Sequence, residues 1–425
     1  MRGDGRSVLR GGTGKFFEYM PDILLAGPLQ GISGALITST FTCNTTPTNP
    51  CPTYPNILSP ADFLARLKAT PPNLVLIGSD YQPQNAWRTS LQYEQRIGSR
   101  YAVGVSAVYS KLDHIQGTKN VNLVPTGYSL GNMPVYDYSS STNPNRPYPD
   151  LGIVRQLTSS ENSWYRAQTI EFHKLATGDS KLTFDLSYTH AQSVDDETNT
   201  RSTSTTFLID PNNPSLSEAP SDNDMEHKVV GDVTYELPWG FEVSAIAFWH
   251  SGFPYTGAIA FTCSGCVANS LTGQAQTTQA ASFTPVFVDG NGNIIDITQA
   301  SGMTLPQFSD FLKAQNARLE QRNSYRMPSV WDADLRISKN FNLIHGVRLQ
   351  VLGEVFNVFN RNIYVVTGAN QDQFRVTYTQ STGKYTITKY TNTVGGKSVY
   401  TFGKLQGYSG EVNPRQFQVA VKINF

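Results

Sequence analysis

No run of eighteen or so apolar residues occurs anywhere in the 425-residue chain. That excludes a membrane-spanning helix. It does not exclude a transmembrane β-barrel, whose strands alternate apolar and polar side chains. Charge is also scarce: Asp, Glu, Lys and Arg make up 16% of the residues, 33 basic against 33 acidic. Such a balance argues against a nucleic-acid-binding surface. The first residues, Met1 to Arg6, lack the apolar core of a signal peptide. Either a cytosolic protein or a chain that begins partway through a longer one is expected. Cysteine is rare, with four in two close pairs, Cys43 with Cys51 and Cys263 with Cys266. Only the second pair has C-x-x-C spacing, and the pairs are far apart in sequence, which fits a zinc ribbon poorly. Local disulfides Cys43–Cys51 and Cys263–Cys266 are predicted, and with them an oxidising compartment.

What is abundant points to strands and turns. The chain holds 21 Tyr, 22 Phe and 34 Gly, residues favoured on pleated surfaces and in tight connections. The last eleven residues show the pattern most clearly. Phe417, Val419, Val421, Ile423 and Phe425 alternate with Gln416, Gln418, Ala420, Lys422 and Asn424. Side chains on a strand point alternately to opposite faces, so this is a strand with one apolar and one polar face. The same alternation recurs around Trp87–Tyr93, Tyr101–Tyr109, Leu182–Tyr188, Val229–Leu237, Phe241–Trp249, Trp331–Ile337 and Leu349–Val355. With the less regular Ser7–Phe17 and Trp164–Leu175, about ten strands of membrane-spanning length are predicted.

The connections alternate too. Short turns at 97–99, 176–180, 238–240 and 342–346 are interleaved with long polar segments near 20–82, 114–162, 193–225, 254–328 and 361–413. An up-and-down antiparallel barrel with short periplasmic turns and long outside loops has this arrangement. The loops carry structure of their own. Ser59–Leu67 reads as a helix capped by Ser59 with Pro60 at its first position. Thr304–Glu320 reads as a helix with Phe308, Phe311, Leu312 and Leu319 on one face. Phe374–Tyr390 reads as a hairpin around Ser381–Lys384. Long ordered loops are usually functional.

Glu354-Val355-Phe356-Asn357-Val358-Phe359-Asn360 resembles the penultimate strand of TonB-dependent outer-membrane receptors. The resemblance extends to the Oar-like group, which carries a carboxypeptidase-regulatory-like domain at its N-terminus. It is also carried by Arg10–Phe17, Ser187–Asp196, Ser251–Thr256, Trp331–Lys339 and the Pro414-Arg415-Gln416 lead into the last strand. The resemblance implies an all-β fold: residues 1–425 as the C-terminal half of a receptor barrel, about ten of roughly 22 strands around a plugged lumen. In such receptors a signal peptide, the regulatory-like domain, a TonB box and a plug precede the barrel; none is visible in this sequence. A fragment of this kind should form an open, curved sheet whose terminal strands, Ser7–Phe17 and Arg415–Phe425, stand far apart. Val351, Val421 and Ile423 should then face lipid, and Arg336, Glu354 and Lys422 the lumen.

Motifs with catalytic overtones fit structural roles better. Gly127-Tyr128-Ser129-Leu130-Gly131 matches G-x-S-x-G, but Asn132-Met133-Pro134 follows it where a nucleophile elbow needs a helix. Gly11-Gly12-Thr13-Gly14-Lys15 lacks the spacing and the Ser or Thr of a phosphate loop. Asp289-Gly290-Asn291-Gly292-Asn293 lacks the sixth-position glycine of a calcium loop and reads as a turn. Asp195, Asp196 and Glu197 offer carboxylates to a cation at a loop base, but a solvated acidic cluster is the default reading. His173, His190 and His250 lie on strands and read as packed or hydrogen-bonded to the lumen. No catalytic residue, cofactor or metal is expected, and the chain reads as a non-enzyme.

The function expected from the resemblance is an outer-membrane receptor of a Gram-negative bacterium. It would bind a substrate at its outer loops for TonB-coupled uptake. Its partners would be outer-membrane lipid, an extracellular glycan, peptide or chelate, and, in the longer protein, a plug and TonB, with no nucleic acid. The alternative is a non-transporting adhesin or structural surface barrel.

Overall fold

The computed structural model describes residues 5–18, 59, 61, 73–137, 143–175, 180–196, 209–210, 212–264, 284–343, 347–368, 371–394, 397–408 and 410–424. The helix expected at Ser59–Leu67 and the residues Cys43, Cys51, Cys266 and Phe425 lie outside or largely outside them. No helix among the described residues is long and apolar enough to cross a membrane.

Ten strands form one continuous antiparallel ladder in sequence order. They are β1 (Ser7–Phe17), β2 (Asn85–Ile97), β3 (Tyr101–Asn120), β4 (Val154–Lys174) and β5 (Leu182–Asp195). They continue with β6 (His227–Glu236), β7 (Phe241–His250), β8 (Val330–Asn342), β9 (Arg348–Phe356) and β10 (Gln416–Asn424). Each of the ten contains or overlaps a segment predicted from alternation, and short connections alternate with long ones as expected. The ladder does not close: among the described residues β1 pairs only with β2, and β10 only with β9.

Register assigns the two faces. Val421 stands opposite Val351, and Ile423 opposite Leu349. Ile337 stands opposite Gly353 and Val243, and Ala245 opposite Val233. Directly opposed residues share a face, so these side chains make one apolar surface across the wall. Along it Phe417 is 73% and Val419 79% exposed. The other face is polar. Arg336 pairs with Glu354 at 2.7 Å, Thr234 with Ser244 at 3.0 Å, Thr169 with Thr189 at 2.9 Å and Arg10 with Glu94 at 3.0 Å. Such exposure of apolar side chains is expected where lipid, not water, is the solvent, and the expected facing of Val351, Val421, Arg336, Glu354 and Lys422 follows the ladder. Aromatic residues band the apolar face near the short turns. Tyr101 stacks on Phe172 at 5.7 Å, and Lys339 lies 4.3 Å from the Phe241 ring and 5.0 Å from that of Phe341.

β3 and β4 rise beyond their neighbours. The sequence places a loop from residue 114, yet their pairing continues to Asn120 opposite Arg155 after shifts between Leu112, Ile115 and Gly117. His114 takes a positive φ of 63° at this irregularity. Bulges of this kind break strict alternation, which is why the extension is hidden in the sequence. Leu74–Ile77 adds a short parallel strand against β4.

Candidate functional site

The long connections fold together into a cap with its own core. Leu130, Met133, Val286, Ile297, Phe308, Leu312 and Val376 are fully buried in a cluster that includes no residue of the ten wall strands among the described residues. Three long connections supply the frame. The first, after β3, gives the hairpin Pro125–Leu130 with Met133–Tyr136. The connection after β7 gives Ala258–Ser264, Thr284–Pro285, Phe287–Val288 and helix α1 (Leu305–Ala314). The connection after β9 gives the hairpin Asp372–Thr379 with Lys384–Lys389. Ala258–Ser264 pairs in parallel with Asp372–Thr379, so two connections remote in sequence share one four-stranded sheet.

α1 begins at Thr304, whose amide donates to Gln307 Oε1 at 2.9 Å, one arm of a capping box. The helix ends earlier than the sequence pattern implies. Asn316 adopts a left-handed φ of 50°, which Asn tolerates better than most residues. The chain then leaves as Arg318–Leu319, a short strand paired with Phe287–Val288. Leu319 reaches the core from that strand and not from a helical face. Ser309 Oγ donates to the Ser129 carbonyl at 2.7 Å and fastens α1 to the first hairpin. The G-x-S-x-G match is thereby part of a hairpin, with Gly131 at φ 60° in its turn. Asp289 to Asn293 form a turn as expected. Asp289 Oδ1 accepts the amides of Asn291 at 2.8 Å and Asn293 at 2.9 Å, and these donors hold the carboxyl below its usual range.

A charged collar joins cap to wall. Arg322 pairs with Asp195 and, at 3.1 Å, with Asp222; Arg326 pairs with Asp224 at 2.5 Å and reaches Glu226 at 3.7 Å. Asn323 Nδ2 donates to Asp222 Oδ1 at 2.6 Å and to the Pro220 carbonyl at 2.8 Å. Asp195 and Asp224 are almost fully buried. Leaving either without its arginine would strand a charge away from water. The expected solvated acidic cluster is therefore corrected: Asp195 and Asp196 are both buried, the first held by Arg322 and the second accepting the Asn162 amide at 2.8 Å. Burial pushes the Asp196 carboxyl above its usual range, with Glu218 and Asp195 adding to the rise. Glu197 lies outside the described residues.

Beside the collar Tyr255, Tyr325 and Phe402 pack as an aromatic node, with Tyr325 5.4 Å from Tyr255 and 5.3 Å from Phe402 between ring centroids. Tyr325 donates to Glu320 Oε1 at 3.2 Å, and burial first, then Glu320, pushes its phenol up to about 12. Gly252 enters this region where nothing larger fits: a Cβ there would lie 1.8 Å from the Met327 carbonyl oxygen.

The histidines divide. His173 faces Asp185 on the polar surface, and His250 Nε2 lies 3.0 Å from Glu411 Oε2, both as expected for lumen hydrogen bonding. His190 does not follow. It stands opposite His227 in the register that carries Tyr188 opposite Val229, on the apolar face. The roles of Asn357 and Arg361 escaped the sequence reading. Asn357 takes φ 49° at the end of β9, donates to the Arg361 and Asn413 carbonyls at 2.9 Å each, and so closes the base of the last long connection. Arg361 lies 4.4 Å over the Trp331 ring. The V-F-N motif signals these positions, but nothing in it says that the asparagine ties two loop ends.

Cys263, on the cap strand Ala258–Ser264, is disulfide-bonded. The phosphate-loop-like glycines, Gly11 to Gly14, lie on β1 within the ladder.

Residues 1–418 match the family model described as an outer membrane beta barrel domain. The chain belongs to that family. It is an outer-membrane β-barrel protein of the Gram-negative cell envelope. No curated protein matches it in sequence. Among solved structures it is similar to the outer membrane transporter YddB from Escherichia coli, at 9% identity and TM-score 0.47, over 91% of this chain and 38% of that one. It is also similar to FpvA of P. aeruginosa bound to heterologous pyoverdines, at 8% identity and TM-score 0.37, over 98% of this chain and 31% of that one. A third likeness is to the FrpB iron transporter from Neisseria meningitidis, at 12% identity and TM-score 0.34, over 69% of this chain and 30% of that one. This outer-membrane chain thus spans well under half the length of each.

Proposed function

We propose that this β-barrel chain is the C-terminal half of a TonB-dependent receptor barrel of the Oar-like group, and that its cap binds a substrate for energy-coupled uptake. The observation that carries the reading is the cap itself. Long connections in a barrel of this class face the cell exterior, and here they are packed around Phe308, Leu312 and Val376 into a preformed surface. Preorganisation lowers the ordering cost of binding. The resemblance of Glu354–Asn360 and Trp331–Lys339 to receptor strands supplies the coupling partner, TonB acting through a plug in the longer protein. The substrate class is a glycan, peptide or chelate, held by the cap and not transformed. On the same reading Cys43–Cys51 and Cys263–Cys266 bridges stiffen two of the outer connections, and mass spectrometry of unreduced peptides tests both pairings.

Whole-cell accumulation of labelled glycans, peptides and metal chelates decides the matter in cells producing the full-length protein. Accumulation that stops on removal of TonB, with surface binding retained, is the expected result. Surface binding without accumulation, in cells with or without TonB, would instead make the protein an adhesin.

A further inference from the structure

We propose that His190, His227 and Glu226 form a binding site for a divalent transition-metal ion at the loop end of the wall. The two histidines occupy directly opposed positions on β5 and β6. The Ala191 amide donates to the Glu226 carbonyl at 2.9 Å. That makes Ala191 with Glu226 a hydrogen-bonded pair, and His190 with His227 the adjacent non-hydrogen-bonded pair, in which opposed side chains approach most closely. Their ring centroids are 5.1 Å apart. One ligand atom from each of the three residues lies within 4.8 Å of the others, and His227 Nε2 is 3.8 Å from Glu226 Oε1. Ligands at about 2.0–2.1 Å from a tetrahedral ion stand roughly 3.3 Å apart. Three side chains with solvent access close the remaining distance by small rotamer changes.

The groups around the trio orient it. Tyr188 Oη lies 2.9 Å from His227 Nδ1 and stacks beside the same ring. With Nδ1–H donating to Tyr188, Nε2 carries the lone pair and points to the carboxylate. Partners of this kind fix the tautomer and ring orientation of metal-binding histidines. Arg326 lies 3.7 Å from Glu226 Oε2 and holds that oxygen, leaving Oε1 toward the imidazoles. Arg326 also pairs with Asp224, so the two acids and one arginine leave one net negative charge beside the two imidazoles. Two imidazoles with one carboxylate suit zinc, copper or nickel better than magnesium or calcium, which favour all-oxygen sets. Three protein ligands leave a fourth position open. The two histidines share the apolar face with Tyr188 and Val229, and Glu226, opposite Ala191 at the end of the ladder, reaches them from the Arg326 collar.

Zinc is the probe. The folded protein, extracted from outer membranes in detergent and stripped with a chelator, is titrated with Zn²⁺ against a chromophoric indicator. Saturable binding of one equivalent is expected, abolished in the His190→Ala/His227→Ala double variant and kept in His173→Ala, which removes a polar-face histidine. Tyr188→Phe leaves all three ligands in place and should weaken binding about 10–100-fold. Heat-modifiable gel mobility confirms that each variant is folded; if the double variant is not, Glu226→Gln and the single histidine variants give the same reading. Cobalt substitution should give the visible absorption of a low-coordinate site with nitrogen ligands. Zinc binding that survives loss of both histidines, or no saturable binding in the unmutated protein, overturns the proposal.

Discussion

On the wall, Val421 is 61% exposed and Val419 79%, while in the cap Phe308, Leu312 and Val376 are inaccessible. Both regions are β-rich and both come from one chain, yet they dispose of apolar side chains in opposite directions. The wall presents them outward because its solvent is lipid, which leaves backbone hydrogen bonding along the ladder as its internal constraint. The cap gathers them inward because its solvent is water, where burial of apolar area is the main driving force. The collar of Arg322 and Arg326 lies between the two, where neither solvent satisfies a buried carboxylate, and Asp195 and Asp224 are each met by an arginine. The cap therefore behaves as a small water-soluble domain assembled from segments that are separated in sequence by wall strands.

The comparison is broken most strongly from the cap side. Phe308 packs edge-on to Phe287 at 6.3 Å and against Tyr385 at 5.5 Å. Phe308→Ala should cost about 3–5 kcal/mol. Because no described residue of the wall strands belongs to that core, the loss should open the cap and leave the wall folded. Hydrogen exchange should show fast exchange over α1 and Asp372–Lys389 with β5 to β9 still protected. Simultaneous loss of protection in both regions would mean that cap and wall form one cooperative unit.

A smaller effect is expected from the wall. Val421→Arg near mid-membrane should cost about 2–4 kcal/mol in reversible unfolding from lipid, because the charge enters hydrocarbon. Gln418→Arg places the same group on the polar face opposite Glu354, where an exposed pair contributes about 0–1 kcal/mol. Equal costs at the two positions would refute the assignment of faces.

The wall was legible in the sequence because a period of two is simple: Trp87–Tyr93 or Phe417–Ile423 shows face and strand at once. Where pairing departs from that period, legibility fails, as at His114, whose positive φ and neighbouring bulges conceal the upper half of the β3–β4 hairpin. The cap was legible only in pieces. The helix at Leu305–Ala314 and the hairpin at Phe374–Tyr390 announce themselves locally, but the parallel pairing of Ala258–Ser264 with Asp372–Thr379 joins segments more than a hundred residues apart. Leu319 looks helical by spacing and is not, because one asparagine turns left-handed first. The collar was misread for the same reason. Asp195 and Asp196 look solvated until Arg322, remote in sequence, arrives to cover the first.

The collar also yields the smallest and most conditional effect, at Asp196. Its carboxyl is buried, lies near Glu218 and Asp195, and has its pKa raised in the folded state. A raised acid binds its proton more tightly folded than unfolded. Its contribution to stability is therefore fully present below the ordinary carboxylate value near 3.8 and is lost as pH climbs through the folded value. Asp196→Asn removes this dependence while keeping a side-chain oxygen to accept the Asn162 amide, which Asp196 Oδ2 now takes at 2.8 Å. At acid pH the variant and the unmutated protein should be nearly equal in stability at this loop base. As pH is raised toward neutrality the variant should become the more stable of the two, with the gap levelling off once Asp196 is fully ionised. Amide exchange at Asn162, followed from pH 4 to pH 7 after correction for the intrinsic pH dependence of exchange, reads the difference directly. A gap that widens toward acid would reverse the sign and show that Asp196 is stabilised as a carboxylate, by the Asn162 amide outweighing burial.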